Sequence, residues 1–122
     1  VVLHPARVCP VGPGVTKTYA QFLCDLSASH AAVVLHRHAP AYERFSPPTP
    51  VAAPSATAGI REFVVGTGGK SLRHSHTPRR NSQIRSETFG VLELRLHSSS
   101  YDWKFVPIAG SSFTDSGTSA CV

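Results

Sequence analysis

The sequence has no methionine, a single tryptophan and no apolar run that approaches the length of a membrane span. It also lacks the charged and then apolar pattern of a secretory leader. Its three cysteines, Cys9, Cys24 and Cys121, contain no CxxC pair and no zinc-ligand spacing, which argues against a zinc finger. An odd number of cysteines leaves a free thiol or a missing partner, and Cys121 is either half of a structural disulfide or a free thiol.

The composition predicts one domain at most. Of 122 residues, 41% are apolar, which is enough for a modest core. Ten prolines and nine glycines predict that much of the chain is loop, and residues 46–58 form a proline-rich connection. Because the chain lacks an initiator methionine and opens on the strand-like residues Val1 to Leu3, we expect it to be a piece of a larger protein.

The net charge of +5 is concentrated in one segment, residues 70–88, which we predict to be a basic loop. Its basic residues are Lys70, Arg73, Arg79, Arg80 and Arg85, accompanied by His74 and His76. Such a loop attracts polyanions through its long-range field. The alternative is a solvated surface loop, which is favoured because no aromatic residues interleave to stack bases.

The first half of the chain predicts a strand, a helix and a second strand. The strand runs from Val1 to His4, and Thr16 or Thr18 caps a helix that continues to about Ser29. The helix has apolar residues at helical spacing, namely Tyr19, Phe22, Leu23 and Leu26. A buried strand follows from Ala31 to Leu35, which completes a βαβ unit typical of a layered α/β fold.

The second half predicts antiparallel strands. Ile60 to Val65 is a strand that ends in a glycine-rich segment. In the clearest local pattern, three leucines and then three aromatic residues alternate with charged residues, which predicts a hairpin with one buried face. The alternating apolar residues are Leu92, Leu94, Leu96, Tyr101, Trp103 and Phe105, which we interpret as core. We predict an irregular tail from Gly110 to Val122.

Two familiar catalytic patterns are incomplete. Residues 66–71 end like a phosphate-binding loop, but Val64 stands where that motif needs its first glycine and no helix pattern follows, so we predict a turn. Ser111, Ser112 and Asp115 are residue types of a Ser-His-Asp triad. No Gly-x-Ser-x-Gly elbow accompanies them, and the run that begins at Asp115 predicts a turn instead.

The segment from Val33 to Phe45, VVLHRHAPAYERF, resembles a motif of calcineurin-like phosphoesterases of the purple-acid-phosphatase type. That motif reads Gly-His-x-His and then x-Tyr-Glu-Arg at the end of a strand. Four later segments resemble the C-terminal part of secreted bacterial members: GIREFVVGTGGKSL, NSQIR, TFGVLELRLH and YDWKFVPIAGSSFTDSG. The resemblance covers nearly everything from Phe22 onward.

The resemblance implies a dinuclear centre of zinc, iron or manganese that hydrolyses phosphate esters. Two cations roughly 4 Å apart clamp the phosphate and generate a hydroxide nucleophile, and imidazole ligands suit these metals. Aligned on Tyr42, His38 takes the place of the first motif histidine and is an implied metal ligand. Arg37 replaces the motif glycine, Ala39 is the intervening residue, and Pro40 replaces the second histidine. Proline has no donor nitrogen, so the motif is altered where it should hold metal.

Two further histidines are candidate ligands. His36 forms a shifted His-x-His pair with His38, and its alternative interpretation is an exposed histidine at the strand end. His4, followed by Pro5, resembles another ligand turn of the family. The Asp-x-His, Gly-Asp and Gly-Asn-His motifs, which belong N-terminal to this region, are absent from the sequence.

These observations predict an α/β (α+β) chain that is the C-terminal part of a metallophosphoesterase β-sandwich, with residues 1–122 as a partial domain. The resemblance implies a phosphate-ester substrate and a secreted parent protein, with no specific nucleic acid and no membrane as partner. We expect the chain to be inactive alone. The alternatives are a non-catalytic basic module that binds polyanions, or a degenerate product without function.

Overall fold

A computed structural model of the chain describes residues 2–3, 26, 29–37, 39–47, 60–69, 71–72 and 82–121, and these residues are almost all in strands and connections. The strands are β1 (Val2–Leu3), β2 (Val33–His36), β3 (Tyr42–Phe45), β4 (Arg61–Val65), β5 (Ser82–Ser86), β6 (Gly90–Leu96), β7 (Ser100–Pro107) and β8 (Ser116–Ala120). Leu26 is helical, within the helix that the sequence predicts, and Ser29, its predicted end, lies in a turn; the other residues of the predicted helix lie outside the described residues.

The first sheet has five strands in the order β1-β2-β4-β3-β5. β1, β2 and β4 run parallel, with Val2 opposite Leu35 and Leu35 opposite Phe63. β3 is antiparallel to both of its neighbours, β4 and β5. The parallel pairing of β1 with β2 is the arrangement that the predicted βαβ unit requires.

The second sheet has three antiparallel strands in the order β6-β7-β8. Its hairpin β6–β7 confirms the prediction made from the alternating leucines and aromatic residues, with Leu92 opposite Phe105 and Leu94 opposite Trp103. The predicted buried face is wrong at Leu96, which is 78% exposed. Leu96 lies beside the hairpin turn, and it is not among the residues that pack against the core.

The core lies between the two sheets and is aromatic, as the sequence predicts for Tyr101, Trp103 and Phe105, and it also contains Tyr42 and Phe63. The ring centroids of Tyr42 in β3 and Phe105 in β7 are 4.5 Å apart. Phe63 in β4 meets the edge of Trp103 in β7 at 5.7 Å. Tilted and edge-to-face aromatic pairs of this kind add to the free energy of burial, so these contacts hold one sheet on the other.

Two predicted irregular segments contain strands. β5 falls inside the predicted basic loop 70–88, and its Ile84 packs against the core. β8 falls inside the predicted irregular tail and pairs with β7, with Ala120 opposite Ser100. Both predictions are wrong for these residues, because a neighbouring strand supplies backbone hydrogen bonds that a polar sequence pattern does not reveal.

Cys121 follows β8, is exposed and forms no disulfide with a described residue. Cys9 and Cys24 lie outside the described residues. The described residues contain no helix that is long and apolar enough to cross a membrane.

Candidate functional site

The turn between β2 and β3 is where the motif resemblance places metal ligands. In this turn the Ala41 amide donates to the Ala39 carbonyl oxygen at 2.8 Å. Pro40 sits between them and offers no donor nitrogen. His38 lies outside the described residues, as does His4, so their roles as ligands stay predictions.

The same turn is pressed against the end of β4. The Gly66 amide donates to the Ala41 carbonyl oxygen at 3.0 Å. A Cβ atom at Gly66 would lie 1.8 Å from the Ala39 carbonyl oxygen, far inside any contact distance. Glycine is therefore required at position 66 because the backbone of the turn fills the space of a side chain.

His36 is buried, not an exposed histidine at the strand end, so that alternative interpretation is wrong. The residue is 3% exposed, and its Nε2 atom lies 3.6 Å from Glu62 Oε1 on the adjacent strand. Because Val33 and Leu35 pack against the aromatic core, strand alternation directs His36 to the opposite face of the first sheet. Its role as a metal ligand stays a prediction.

The described residues do not fit a dinuclear metal centre. They contain no group of three or more His, Cys, Asp or Glu side chains placed to hold a metal ion. His36 and Glu62 are two such side chains together, which is fewer than a metal site normally needs. The chemistry of a metal centre therefore does not follow from this part of the chain.

A buried carboxylate, Asp115, organises the polar side chains between the sheets. It accepts a hydrogen bond from the Tyr42 hydroxyl at 2.6 Å. It also forms a two-pronged ion pair with Arg44, whose Nε donates to Oδ2 at 2.7 Å and whose Nη2 donates to Oδ1 at 3.1 Å. Tyr42 and Arg44 reach the same carboxylate because residues two apart in a strand share a face. The cluster ties β3, immediately after the turn, to the segment before β8.

Burial, and then the neighbouring Asp115 carboxylate, raise the pKa of the Tyr42 hydroxyl well above its usual value. The hydroxyl therefore stays protonated and remains a donor at neutral pH. The sequence predicts a turn at Asp115 and misses this role. Strand alternation in Tyr42-Glu43-Arg44 signals that the tyrosine and the arginine act together, but nothing local identifies the acidic partner 71 residues from Arg44.

A second arginine lies beside the first. Arg44 and Arg61 both donate to the side-chain oxygen of Gln83, the latter at 3.2 Å. Their guanidinium carbons lie 5.2 and 4.8 Å from the centre of the Trp103 ring. Cations over an indole face are attracted by its quadrupole, so Trp103 stabilises two positive charges at the border of the core.

The glycine-rich segment after β4 joins the two sheets. Thr67 is 1% exposed, and its hydroxyl donates to the Gly90 carbonyl oxygen at 2.7 Å. The Gly90 amide in turn donates to the Thr67 carbonyl oxygen at 3.3 Å. These two hydrogen bonds agree with the predicted turn. The Thr67 hydroxyl is used to hold the turn against Gly90, and not to bind phosphate.

A triad with Ser111 or Ser112 does not form around Asp115, because that carboxylate is taken by Tyr42 and Arg44. A different His–Asp pair lies at the end of the hairpin, where His97 Nε2 is 2.8 Å from Asp102 Oδ2. Thr118 donates to the other Asp102 oxygen at 2.7 Å, and this hydrogen bond, together with that of His97, holds the pKa of the carboxyl below its usual value. These side chains link β7, at Asp102, with β8 and with the residue that follows β6 on the protein surface.

The comparisons with known proteins agree with the fold. Neither the protein-family models nor the curated proteins give a significant match to this sequence. Among solved structures, the chain is similar to a purple acid phosphatase from yellow lupin (Lupinus luteus) seeds, with a TM-score of 0.57 and 22% sequence identity. The match covers 70% of this chain and 17% of the phosphatase, so the chain spans about a sixth of its neighbour.

This similarity confirms the predicted fold class. The two packed β-sheets are in line with the predicted C-terminal part of a metallophosphoesterase β-sandwich. β4 departs from the predicted antiparallel arrangement of the later strands, because it pairs parallel with β2. At this level of identity the similarity concerns the fold alone.

Proposed function

We propose that this chain is part of a metal-dependent phosphoesterase that hydrolyses phosphate esters, and that it contributes scaffold more than chemistry. The observation that supports the enzyme class is the similarity in fold to the lupin purple acid phosphatase. The Asp115 cluster, which anchors the strand after the motif turn through Tyr42 and Arg44, supports the scaffold role. The parent enzyme would use a dinuclear centre of zinc, iron or manganese. We extend the proposal to an exported parent, as the sequence resemblance implies.

We further propose that the chain is inactive alone. Pro40 stands in the place of a ligand and has no donor nitrogen, and Asp115 is engaged by two hydrogen-bonding partners. His36 lies against Glu62 within the sheet. The chain therefore offers His38 as a motif ligand without the second histidine beside it.

The test has a biochemical and a genetic arm. The purified chain, supplied with Zn²⁺, Fe³⁺ or Mn²⁺, should hydrolyse p-nitrophenyl phosphate no faster than the metal alone, and His38→Ala should not change the rate. Metal-dependent turnover that disappears in His38→Ala would contradict inactivity. The upstream coding sequence should contain Asp-x-His and Gly-Asn-His motifs in frame, and their absence would remove the phosphoesterase proposal.

The second candidate is a basic module that binds polyanions, favoured by the net charge of +5. Arg79 and Arg80 lie outside the described residues, so this candidate depends on the sequence. Binding to heparin that weakens steeply with salt and is lost in the double variant Arg79→Gln/Arg80→Gln would support it. A chain with neither heparin binding nor the upstream motifs would match the third alternative, a degenerate product.

A further inference from the structure

One side of β6 has no strand beside it among the described residues. On its paired side, the His97 amide donates to the Ser100 carbonyl oxygen at 2.9 Å, and the Ile108 amide donates to the Phe89 carbonyl oxygen at 3.0 Å. Backbone polar groups alternate in direction along a strand. The odd-numbered residues of this segment therefore direct their amide and carbonyl groups toward β7.

The even-numbered residues of β6 direct their backbone groups the other way. The Gly90 amide does so and reaches the Thr67 carbonyl oxygen, which covers the beginning of the strand. Beyond that point, Leu92, Leu94 and Leu96 present their amide and carbonyl groups along an edge that no other described strand covers. Unpaired edges of this kind are templates for pairing with another strand.

The side chains along this edge carry two further features. Leu96 is 78% exposed, which is unusual for a leucine that continues the row of Leu92 and Leu94. On the opposite face of the strand, Glu93 and Arg95 are exposed and lie two residues apart, with Arg95 Nε 2.9 Å from Glu93 Oε1.

We propose that β6 pairs with β6 of a second copy of this chain, antiparallel and centred on Leu94, to form a continuous six-stranded sheet. In this register Glu93 lies opposite the partner's Arg95, and Arg95 lies opposite the partner's Glu93. Leu92 lies opposite the partner's Leu96, so that each exposed leucine gains an apolar neighbour. Opposite charges and apolar pairs directly across strands are the favourable combinations in a sheet.

The hydrogen-bonding phase agrees with this register. Leu94 opposite the partner's Leu94, and Leu92 opposite the partner's Leu96, pair even-numbered residues, whose backbone groups point outward. The two Glu–Arg pairs then fall at non-hydrogen-bonded positions, where facing side chains are closest. A shift by one residue would instead oppose residues whose backbone groups are already used by β7.

The order Glu-x-Arg also favours a second copy over an unrelated strand. Read in the antiparallel direction, the segment 93–95 presents the charges that complement itself. An isologous two-fold contact requires such self-complementarity. The charges of β6 thus specify the partner as well as the register.

The test uses charge reversal and mixing, with mass measured by sedimentation equilibrium. The wild-type chain should dimerise. Glu93→Arg or Arg95→Glu alone should raise the dimer dissociation constant by about tenfold or more, since each turns two favourable cross-strand pairs into two repulsive ones. An equimolar mixture of the two variants should form a heterodimer. In that heterodimer both charges of the Glu93→Arg chain are positive and both charges of the Arg95→Glu chain are negative, so each cross-strand pair is again attractive.

The mixture separates this contact from the Glu93–Arg95 pair within one chain, because neither variant regains that pair on mixing. Lys104→Gln is the control: it removes a charge from the same sheet face in the central strand β7, without placing a like charge opposite Glu93, and it should dimerise like wild type. A wild-type chain that stays monomeric, single variants that dimerise normally, or a mixture that stays monomeric would each overturn the proposal. Near-ultraviolet circular dichroism identifies a variant that has lost its packing.

Discussion

Replacing Asp115 with alanine tests the central ion pair most directly. Asp115 is 6% exposed and accepts hydrogen bonds at 2.6, 2.7 and 3.1 Å. Asp115→Ala leaves the Arg44 guanidinium, whose side chain is 15% exposed, without its carboxylate. Breaking a buried ion pair from one side costs about 3–5 kcal/mol, because a desolvated charge remains behind. We expect a loss of that size in the free energy of unfolding.

Urea denaturation followed by the fluorescence of Trp103, the single tryptophan, measures this loss. Tyr42→Phe removes one hydrogen bond to the same carboxylate and should cost about 1.5–3 kcal/mol. This milder variant keeps the test informative if Asp115→Ala does not fold. Asp102→Ala is the control, because it removes an exposed carboxylate that also accepts two hydrogen bonds and should cost much less.

The double variant Asp115→Ala/Arg44→Met distinguishes two origins of the cost of Asp115→Ala: the lost attraction itself, or the unpaired charge left on Arg44. If the cost comes from the unpaired guanidinium, the double variant should be more stable than Asp115→Ala alone. The reasoning is refuted if Asp115→Ala unfolds at the same urea concentration as wild type. It is also refuted if the double variant loses the full sum of the two single changes.

Two further predictions concern Tyr42 and the motif turn. The pKa of Tyr42 is raised in the folded state, so its contribution to stability is complete below the unfolded pKa near 10 and declines above it, by about 1.4 kcal/mol per pH unit. The free energy of unfolding should therefore fall less steeply with rising pH in Tyr42→Phe than in wild type. Identical pH profiles for the two proteins would contradict the raised pKa of Tyr42. Gly66→Ala should lower the free energy of unfolding by about 2 kcal/mol or more, because its Cβ would collide with the Ala39 carbonyl oxygen. A Cβ atom at Gly68 would meet nothing within 4 Å, so Gly68→Ala should leave the free energy of unfolding nearly unchanged in the same assay. Equal losses of stability in the two variants would contradict the steric explanation for Gly66.

The alternation of apolar and polar residues predicted the structure correctly where the apolar residues of a strand are also the buried ones. The hairpin follows from the sequence because Leu92, Leu94 and the three aromatic residues of β7 repeat with a period of two. The same rule was wrong at Leu96, since alternation says which face a side chain occupies but not how far the opposing sheet extends. The candidate ligands His38 and His4 stay predictions, and His36 is placed by the fold in a buried pair with Glu62.

The sequence by itself determined the hairpin, the parallel β1–β2 unit and the aromatic core residues of β7, because each follows from the pattern of neighbouring residues. Only the tertiary structure decided that β8 is a strand and that Asp115 holds Tyr42 and Arg44. A polar edge strand forms where a neighbour offers backbone partners, and a partly buried arginine pairs with the carboxylate that the docking of two sheets brings within reach. The pairing of β8 with β7 depends on backbone groups, which the polar side chains of β8 do not reveal, and Asp115 meets Tyr42 and Arg44 across more than 70 residues of chain.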